Sequence, residues 1–280
     1  MPLWSPPLQT TASNHIGTHV SLTLLSPAKI NLDFKILGRR EDGYHLICSE
    51  MVALDLFDRM EISLSDKNHL NSPQDLPFQF SNSIFQKVWD EFNQRFPGIP
   101  NFQIFIDKKI PIGAGLGGGS SNAASFIYAI NKMLGLDLTF LQMGAIGAKV
   151  GSDVPFFFTN GRALAEGTGT DLTHYDPVPG ISYTLLFDKI QILTPLVYKS
   201  VDLHQLDNDA KNQLERFAMR AYPSYESTWK DWKSVFADVQ MSGSGSTAFV
   251  RGIHDLASFC FDGCVCRTIA RTGDQWYEKH

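Results

Sequence analysis

The sequence is short of three things: cysteine, long apolar runs and surplus positive charge. Each shortage removes a class of protein. Only four of its 280 residues are cysteine: Cys48, Cys260, Cys264 and Cys266. That is no disulfide framework. The last three stand at C-x3-C and C-x-C spacing, not as paired C-x2-C, and no fourth ligand accompanies them. They read as buried free thiols. Cys264 and Cys266 flank Val265 in a strand-like stretch and are expected on one side. No apolar run of roughly 18 residues occurs, which excludes a membrane-spanning helix. The first 20 residues carry no Lys or Arg, and Pro stands at positions 2, 6 and 7. A signal peptide needs a basic start and an apolar middle. Residues 1–18 are therefore expected to be a loose tail and the protein cytoplasmic. Lys plus Arg number 24 against 29 Asp plus Glu, a net charge of −5. Nothing in that balance neutralises many phosphates at once, so nucleic acid and anionic membranes are not expected partners. A small, local phosphate site is compatible with it. No segment points to a protein partner.

What is present is an ordinary folding composition. Hydrophobic residues make up 43 % and charged residues 19 %, which excludes wholesale disorder. The length suits two packed domains better than one. Val20, Leu22 and Leu24 alternate with polar residues. So do Ile30, Leu32, Phe34 and Ile36 with Lys29, Asn31, Asp33 and Lys35. The second alternation predicts one strand with four polar side chains on one face, and Lys, Asn and Asp in mutual reach. The turn R-R-E-D-G-Y-H follows, then separate strands around Val52–Leu56 and Met60–Leu64. Residues 65–80 are polar and turn-rich. The spacing of Ile84, Phe85, Val88 and Phe92 predicts a helix over 83–96. Phe102, Ile104 and Ile106 predict a strand. Ala123, Ala124, Ile127, Ile130 and Leu134 mark a helix closed by Gly135. Residues 139–150 read as another, stopped by Gly151. Further strands are expected at 162–166, 183–187, 248–250 and 264–270, and further helices at 204–221, 226–237 and 253–261. A domain boundary is expected near 158–162.

Twenty-two glycines are only slightly more than usual, but five of them fall within Gly113–Gly119. The segment P-I-G-A-G-L-G-G-G-S-S-N-A-A runs from Pro111 to Ala124. Glycines let a ligand approach the backbone and permit the positive φ angles of an anion-binding loop. A helix directly after it adds free N–H groups and the positive end of its dipole. Loop and helix together make a cradle for a polyphosphate. Ser120 and Ser121 are placed to cap that helix and to reach a phosphate or a metal ion. Two other readings stand beside this one. The first is a mobile glycine-rich turn. The second is a dinucleotide loop, with Gly113, Gly115 and Gly118 as G-x-G-x-x-G and Asp137 as the ribose carboxylate. No G-K-[ST] follows, so a Walker A loop is excluded.

The whole string closely resembles the P-x-x-x-G-L-G-S-S-x-A-A loop of the GHMP kinase superfamily. Three more segments resemble motifs of that superfamily, in the same order along the chain. They are S-P-A-K-I-N-L-D-F-K-I-L-G-R-R-E-D-G-Y-H from Ser26, V-G-S-D-V-P-F-F around Asp153, and M-S-G-S-G-S from Met241. The first segment and the three glycines before the serines are similar to one branch, whose substrate is a cytidine-diphosphate-linked methylerythritol. The resemblance runs from about residue 20 to 270. It implies an α+β fold of two domains. An N-terminal ATP-binding domain with a left-handed βαβ unit is expected over 19–160, and a C-terminal ferredoxin-like domain over 161–280. The active site would lie in the cleft between them. The family often carries N-D-L-E at the start of a C-terminal helix, where this chain has N-Q-L-E at 212–215. Residues 200–240 otherwise resemble the family little.

The implied reaction moves the γ-phosphoryl of ATP to the 2-hydroxyl of that substrate, in the non-mevalonate isoprenoid pathway. By resemblance, Asp153 is the base at the hydroxyl and Lys29 the cation beside both, which suits a reaction that needs positioning and charge neutralisation. Alone, each would read as a turn aspartate or a solvated strand lysine. ATP would lie along Pro111, Ile112, Gly113, Ala114, Gly115, Leu116, Gly117, Gly118, Gly119, Ser120 and Ser121. Tyr44 and His45 match the family's G-Y-H, and Tyr198 its stacking aromatic; a hydrogen-bonding His and a flat ring suit a cytosine. Thr194 and Lys199 are nearby candidates. Asn31 is expected at the erythritol hydroxyls, and Gly243 and Ser244 at a phosphate. Mg²⁺ should accompany ATP, with Ser121 a candidate ligand and the other protein ligands unknown. Three alternatives remain at this stage: a kinase of a small alcohol such as homoserine or mevalonate, a non-catalytic nucleotide binder on a kinase scaffold, and a nicotinamide-dependent oxidoreductase.

Overall fold

In the computed structural model, which describes residues 21–273 and 275–277, the first half of the chain is drawn out into strands. The tail expected over 1–18 lies outside the described residues. β1 (Ser21–Asn31) and β2 (Lys35–Arg39) both pair antiparallel with β3 (His45–Ser65). β3 is one strand of 21 residues, not two. β1 runs beside most of it, and a register shift between Pro27 and Ala28 leaves Asp55 and Leu56 without partners in β1. The chain bulges there instead of breaking.

The bulge also re-aims β1. Before it, Leu24 and Ser26 face the helices, and the Ser26 and Ser125 hydroxyls lie 2.6 Å apart. After it, Ala28 and Ile30 face the second sheet. Lys29 and Asn31 are thereby turned toward the glycine loop, and both are buried. The expected single strand from Ile30 to Ile36 is interrupted. β1 stops at Asn31, and Phe34 bridges to Asn212 before β2 begins. Asp33 and Lys35 consequently leave the polar face. Asp33 Oδ1 accepts from Glu50 N at 2.7 Å, and Lys35 Nζ donates to the Asn208 and Ala210 carbonyls.

The first half continues through β4 (His69–Asn71), α1 (Ile84–Arg95), β5 (Asn101–Asp107), α2 (Gly118–Leu134), α3 (Phe140–Val150), β6 (Arg162–Gly167) and β7 (Asp171–His174). These strands form a seven-stranded sheet, order β4-β5-β3-β6-β7, with β1 and β2 joined to β3. Ser83 caps α1, its hydroxyl accepting from Phe85 N, and Thr139 with Gln142 forms a capping box on α3. α2 is buried nearly all round because it is the central helix of the first core, and Gly135 closes it at φ 59°. β6 and β7 carry this sheet past residue 160.

The second half holds β8 (Ser182–Leu186), α4 (Thr194–Lys199), α5 (Glu215–Ala221), α6 (Tyr225–Val235), β9 (Gln240–Met241), β10 (Ala248–Arg251) and β11 (Gly263–Arg267). Its antiparallel sheet has the order β11-β8-β10-β9. The helix expected over 204–221 shrinks to α5. Residues 211–213 are held in extended pairing with Phe34, which removes them from any helix. The helix expected at 253–261 is a single 3-10 turn, Ala257–Phe259. Of the four thiols only Cys266 is buried, and Cys260 is exposed. The Cys264 and Cys266 sulfurs do share one side, 3.5 Å apart. Among the described residues no helix is long and apolar enough to cross a membrane.

Candidate functional site

Lys29 is where three segments meet. Its buried ammonium donates to Asn31 Oδ1 at 2.6 Å and to the Gly115 carbonyl at 3.1 Å, and pairs with Asp153 Oδ2 at 3.4 Å. The amide of Lys29 also donates to the Leu116 carbonyl. Asn31 is fixed in turn, its Nδ2 donating to Ser49 Oγ at 2.7 Å, which donates to the Asp33 carbonyl. Asp153 stands on the turn after α3, with a half-exposed carboxylate. Buried Phe156, Phe157 and Phe158 anchor that turn in the first core.

The glycines are needed where the loop is tightest. Gly113, Gly115 and Gly117 take φ angles of 68°, 75° and 68°. A Cβ on Gly115 would lie 2.3 Å from the Ser242 carbonyl oxygen, and one on Gly117 2.9 Å from Lys29 Cγ. Backbone and lysine therefore approach only because side chains are missing. α2 begins at Gly118, and Gly117 is its N-cap. Ser120 and Ser121 thus lie in the first turn and do not cap it. Ser120 lines the cavity described next, whereas Ser121 is fully buried, its hydroxyl without a hydrogen-bond partner among the described residues.

A cavity of about 570 Å³ is lined by the loop from Pro111 to Ser120, with Lys29, Asn31, Asp153, Gly243 and Ser244. Phe78, Asn82, Ser83 and Lys108 also line it. A more open cavity of about 940 Å³ adjoins it, lined by Tyr44, His45, Tyr198 and Lys199 and by the cations Arg39, Arg40, Lys87 and Lys149. Ile47, Gly151, Ser152, Thr168, Thr194 and Tyr198 line both. The Thr194 and Ser244 hydroxyls are 2.7 Å apart. The rings of His45 and Tyr198 lie 5.2 Å apart, in direct contact. Burial, with the Arg39 charge added, lowers the pKa of His45. Burial and then the Asp153 charge push the Tyr198 phenol up.

The residues singled out in the sequence are therefore gathered around one pair of connected cavities, with Ser121 packed beneath. Asp137 is not among them. It follows the C-terminus of α2, a helix of 17 residues, so the helix separates it from the glycine loop by about 25 Å. That removes the carboxylate the dinucleotide reading needs. Two neighbours were not singled out residue by residue in the sequence: Asp58, and Ser242 within its M-S-G-S-G-S segment. Fully buried Asp58 accepts from Lys109 N, Ile110 N and Asn122 Nδ2 and pairs with Lys108. Ser242 accepts from Asn31 N at 3.3 Å and donates to the Gly115 carbonyl at 3.1 Å. A charge inside the apolar run of β3 was the one hint of Asp58.

Residues 83–161 match the family described as GHMP kinases N terminal domain. The chain is 32 % identical over 248 residues to the 4-diphosphocytidyl-2-C-methyl-D-erythritol kinase of Persephonella marina, covering 82 % of this chain and 90 % of that one. It is 34 % identical over 238 residues to the same-named enzyme of Chlamydia muridarum, covering 81 % and 83 %. A crystal structure of 4-(cytidine 5'-diphospho)-2C-methyl-D-erythritol kinase superposes with a TM-score of 0.71 at 26 % identity, over 90 % of this chain and all of that one. By sequence over most of its length and by fold, the chain belongs to the 4-diphosphocytidyl-2-C-methyl-D-erythritol kinase family, within the two-domain GHMP kinases.

Proposed function

We propose that the chain phosphorylates the 2-hydroxyl of 4-diphosphocytidyl-2-C-methyl-D-erythritol with ATP, in the cytoplasm and in the non-mevalonate route to isoprenoid precursors. One observation carries this reading. The Lys29–Asp153 pair stands on the glycine-loop cavity, one residue from Ser152, which also lines the His45–Tyr198 cavity. A nucleotide in the first cavity and a cytidine in the second would bring phosphoryl donor and alcohol to that pair.

The loop amides and the first turn of α2 hold the phosphates. Phe78, Asn82, Ser83 and Lys108 receive the adenosine end. Asp153 takes the proton of the 2-hydroxyl as its oxygen bonds to the γ-phosphorus, and ADP departs. Lys29 supplies positive charge beside the developing oxyanion. It is already held by Asn31 and Gly115, so little reorganisation accompanies the reaction. Asn31 orients the erythritol hydroxyls. The His45–Tyr198 contact leaves no gap for a base between the rings, so the cytosine lies beside the pair, toward exposed Tyr44. Mg²⁺ would neutralise charge on the β- and γ-oxygens. No cluster of three His, Cys, Asp or Glu suited to a metal occurs among the described residues, so phosphate and water would hold the ion; the fully buried Ser121 lines neither cavity.

A coupled assay for ADP release tests the reading. Turnover is expected with the cytidine-linked alcohol and not with homoserine. Asp153→Asn and Lys29→Ala should each lose about 10²- to 10⁴-fold in kcat with an unchanged circular-dichroism spectrum. Near-normal turnover by both variants would overturn the assignment, and turnover of homoserine in place of the cytidine substrate would overturn the substrate.

A further inference from the structure

The turn from Ser242 to Thr247 rests on the glycine loop at several points. Thr247 N donates to the Ala114 carbonyl at 3.1 Å, and Ser242 Oγ to the Gly115 carbonyl. Gly243 packs against the catalytic side: a Cβ there would lie 3.0 Å from Asn31 Oδ1 and 3.5 Å from Lys29 Nζ. Phosphate loop, lysine and turn are thus one packed unit, and what fixes the turn also fixes the other two.

Asn212 is placed to do this. It is 3 % exposed and is not among the residues lining either cavity. Its Nδ2 donates to the Met241 and Gly243 carbonyls, both at 2.7 Å, and its Oδ1 accepts from Leu214 N at 2.8 Å. Both amide protons and the oxygen are used. Its backbone is pinned to the other side of the cleft. Phe34 N donates to the Lys211 carbonyl and Gln213 N to the Phe34 carbonyl, while Ile36 N donates to Gln213 Oε1. Phe34 is three residues from Asn31. Asn212 thus holds the turn of the second half by its side chain, while its neighbours Lys211 and Gln213 bind Phe34, just beyond the strand that carries Lys29 and Asn31.

Resting on the kinase reading above, we propose that Asn212 is a positioning residue for phosphoryl transfer, whose carboxamide clamps the Met241–Gly243 backbone and so holds the turn on the glycine loop and beside Lys29. Without the two N–H donors, two buried carbonyls lose their partner and the turn shifts to find another. A misplacement of about 1 Å is enough to cost roughly a hundredfold in rate.

The test compares Asn212→Asp and Asn212→Ala in the full chain. The aspartate keeps the acceptor for Leu214 N and removes the donors to both carbonyls, so it separates the clamp from the local bond to Leu214. Hydrogen exchange is expected to quicken, roughly tenfold or more, in segments 111–117 and 241–247 while α1 and β5 keep wild-type protection. The kcat should fall about ten- to a hundredfold, with KM for ATP changed less. Wild-type exchange and kcat in Asn212→Asp would overturn the proposal. So would exchange raised equally throughout the chain, which marks a merely structural role. Failure of the wild-type protein to phosphorylate the cytidine substrate would overturn the kinase reading instead, and the exchange measurement would still decide the clamp.

Discussion

His45 is nearly inaccessible, and its surroundings oppose a second positive charge. Burial is the larger cause of its lowered pKa and the Arg39 guanidinium the smaller. At neutral pH the ring is therefore uncharged, with one nitrogen donating and one accepting, the pairing an amide-like base edge requires. The unfolded chain takes up this proton near pH 6.5, the folded chain only at lower pH. The folded state pays nothing above that pH and loses stability as pH falls from about 6.5 through the folded value. Urea denaturation of wild type and His45→Gln at pH 7.5 and 5.5 measures this, and wild type should lose more on acidification than the variant. The KM for the cytidine substrate should likewise stay flat near pH 7 and rise severalfold only on the acid side. A wild-type protein that gains stability relative to the variant at pH 5.5 would reverse the assignment. At this scale Lys29, Asp153 and the glycines were legible, because each sits in a contiguous motif. The roles of Asp58, of Lys108 and of Asn212 within N-Q-L-E were not, because their partners lie 14 or more residues away in sequence and only the fold supplies them.

The phosphate loop is an element that must stay rigid without side chains of its own. Asp58 supplies part of that rigidity from β3. Its Oδ1 takes Lys109 N and Ile110 N at 2.8 and 2.9 Å, where the chain leaves β5, and its Oδ2 takes Asn122 Nδ2 at 3.0 Å, in the first turns of α2. Both ends of the loop are thus tied to one carboxylate, with Lys108 paired to it as well. Asp58→Ala leaves three donors unpartnered and the Lys108 ammonium with no counter-charge, held only by Asn122 Oδ1. It should cost about 3–5 kcal/mol by chemical denaturation and raise KM for ATP more than KM for the alcohol. A loss below about 1 kcal/mol would remove the anchoring role. Elements set by local spacing and caps were legible: α1 between Ser83 and Phe96, α2 up to Gly135, α3 between Thr139 and Gly151. Elements set by a distant partner were not. The alternation of residues 30–36 reads as one strand, but pairing of Phe34 with Asn212 divides it, and the same contact keeps 211–213 out of the helix expected there.

At the scale of the whole molecule, the two walls of the cleft come from different halves of the chain. The first half brings the glycine loop, Lys29 and Asp153. The second brings the Ser242–Thr247 turn, Thr194 and Tyr198. Their relation is fixed by an apolar seam, in which Ala28, Ile30, Val52 and Leu54 of the first sheet pack with Tyr183, Leu185 and Phe249 of the second. Leu116 of the glycine loop is part of the same seam. The second core also draws on the first half, since Phe34, Ile36 and Ile47 pack there with Trp229 and Trp232. Neither half encloses its own apolar surface alone, so the halves should unfold together. Pulsed hydrogen exchange along a urea titration should show α1 and α6 losing protection at one midpoint. Phe249→Ala opens the seam without touching either cavity's lining, and should destabilise the chain by about 3–5 kcal/mol. Its effect separates the two possibilities. In a single cooperative unit both helices shift to a lower midpoint by the same amount. If α6 shifts while α1 does not, the halves fold as independent units, and the alignment of Lys29 with the turn that borders it must come from the Asn212 and Ser242 hydrogen bonds rather than from the seam.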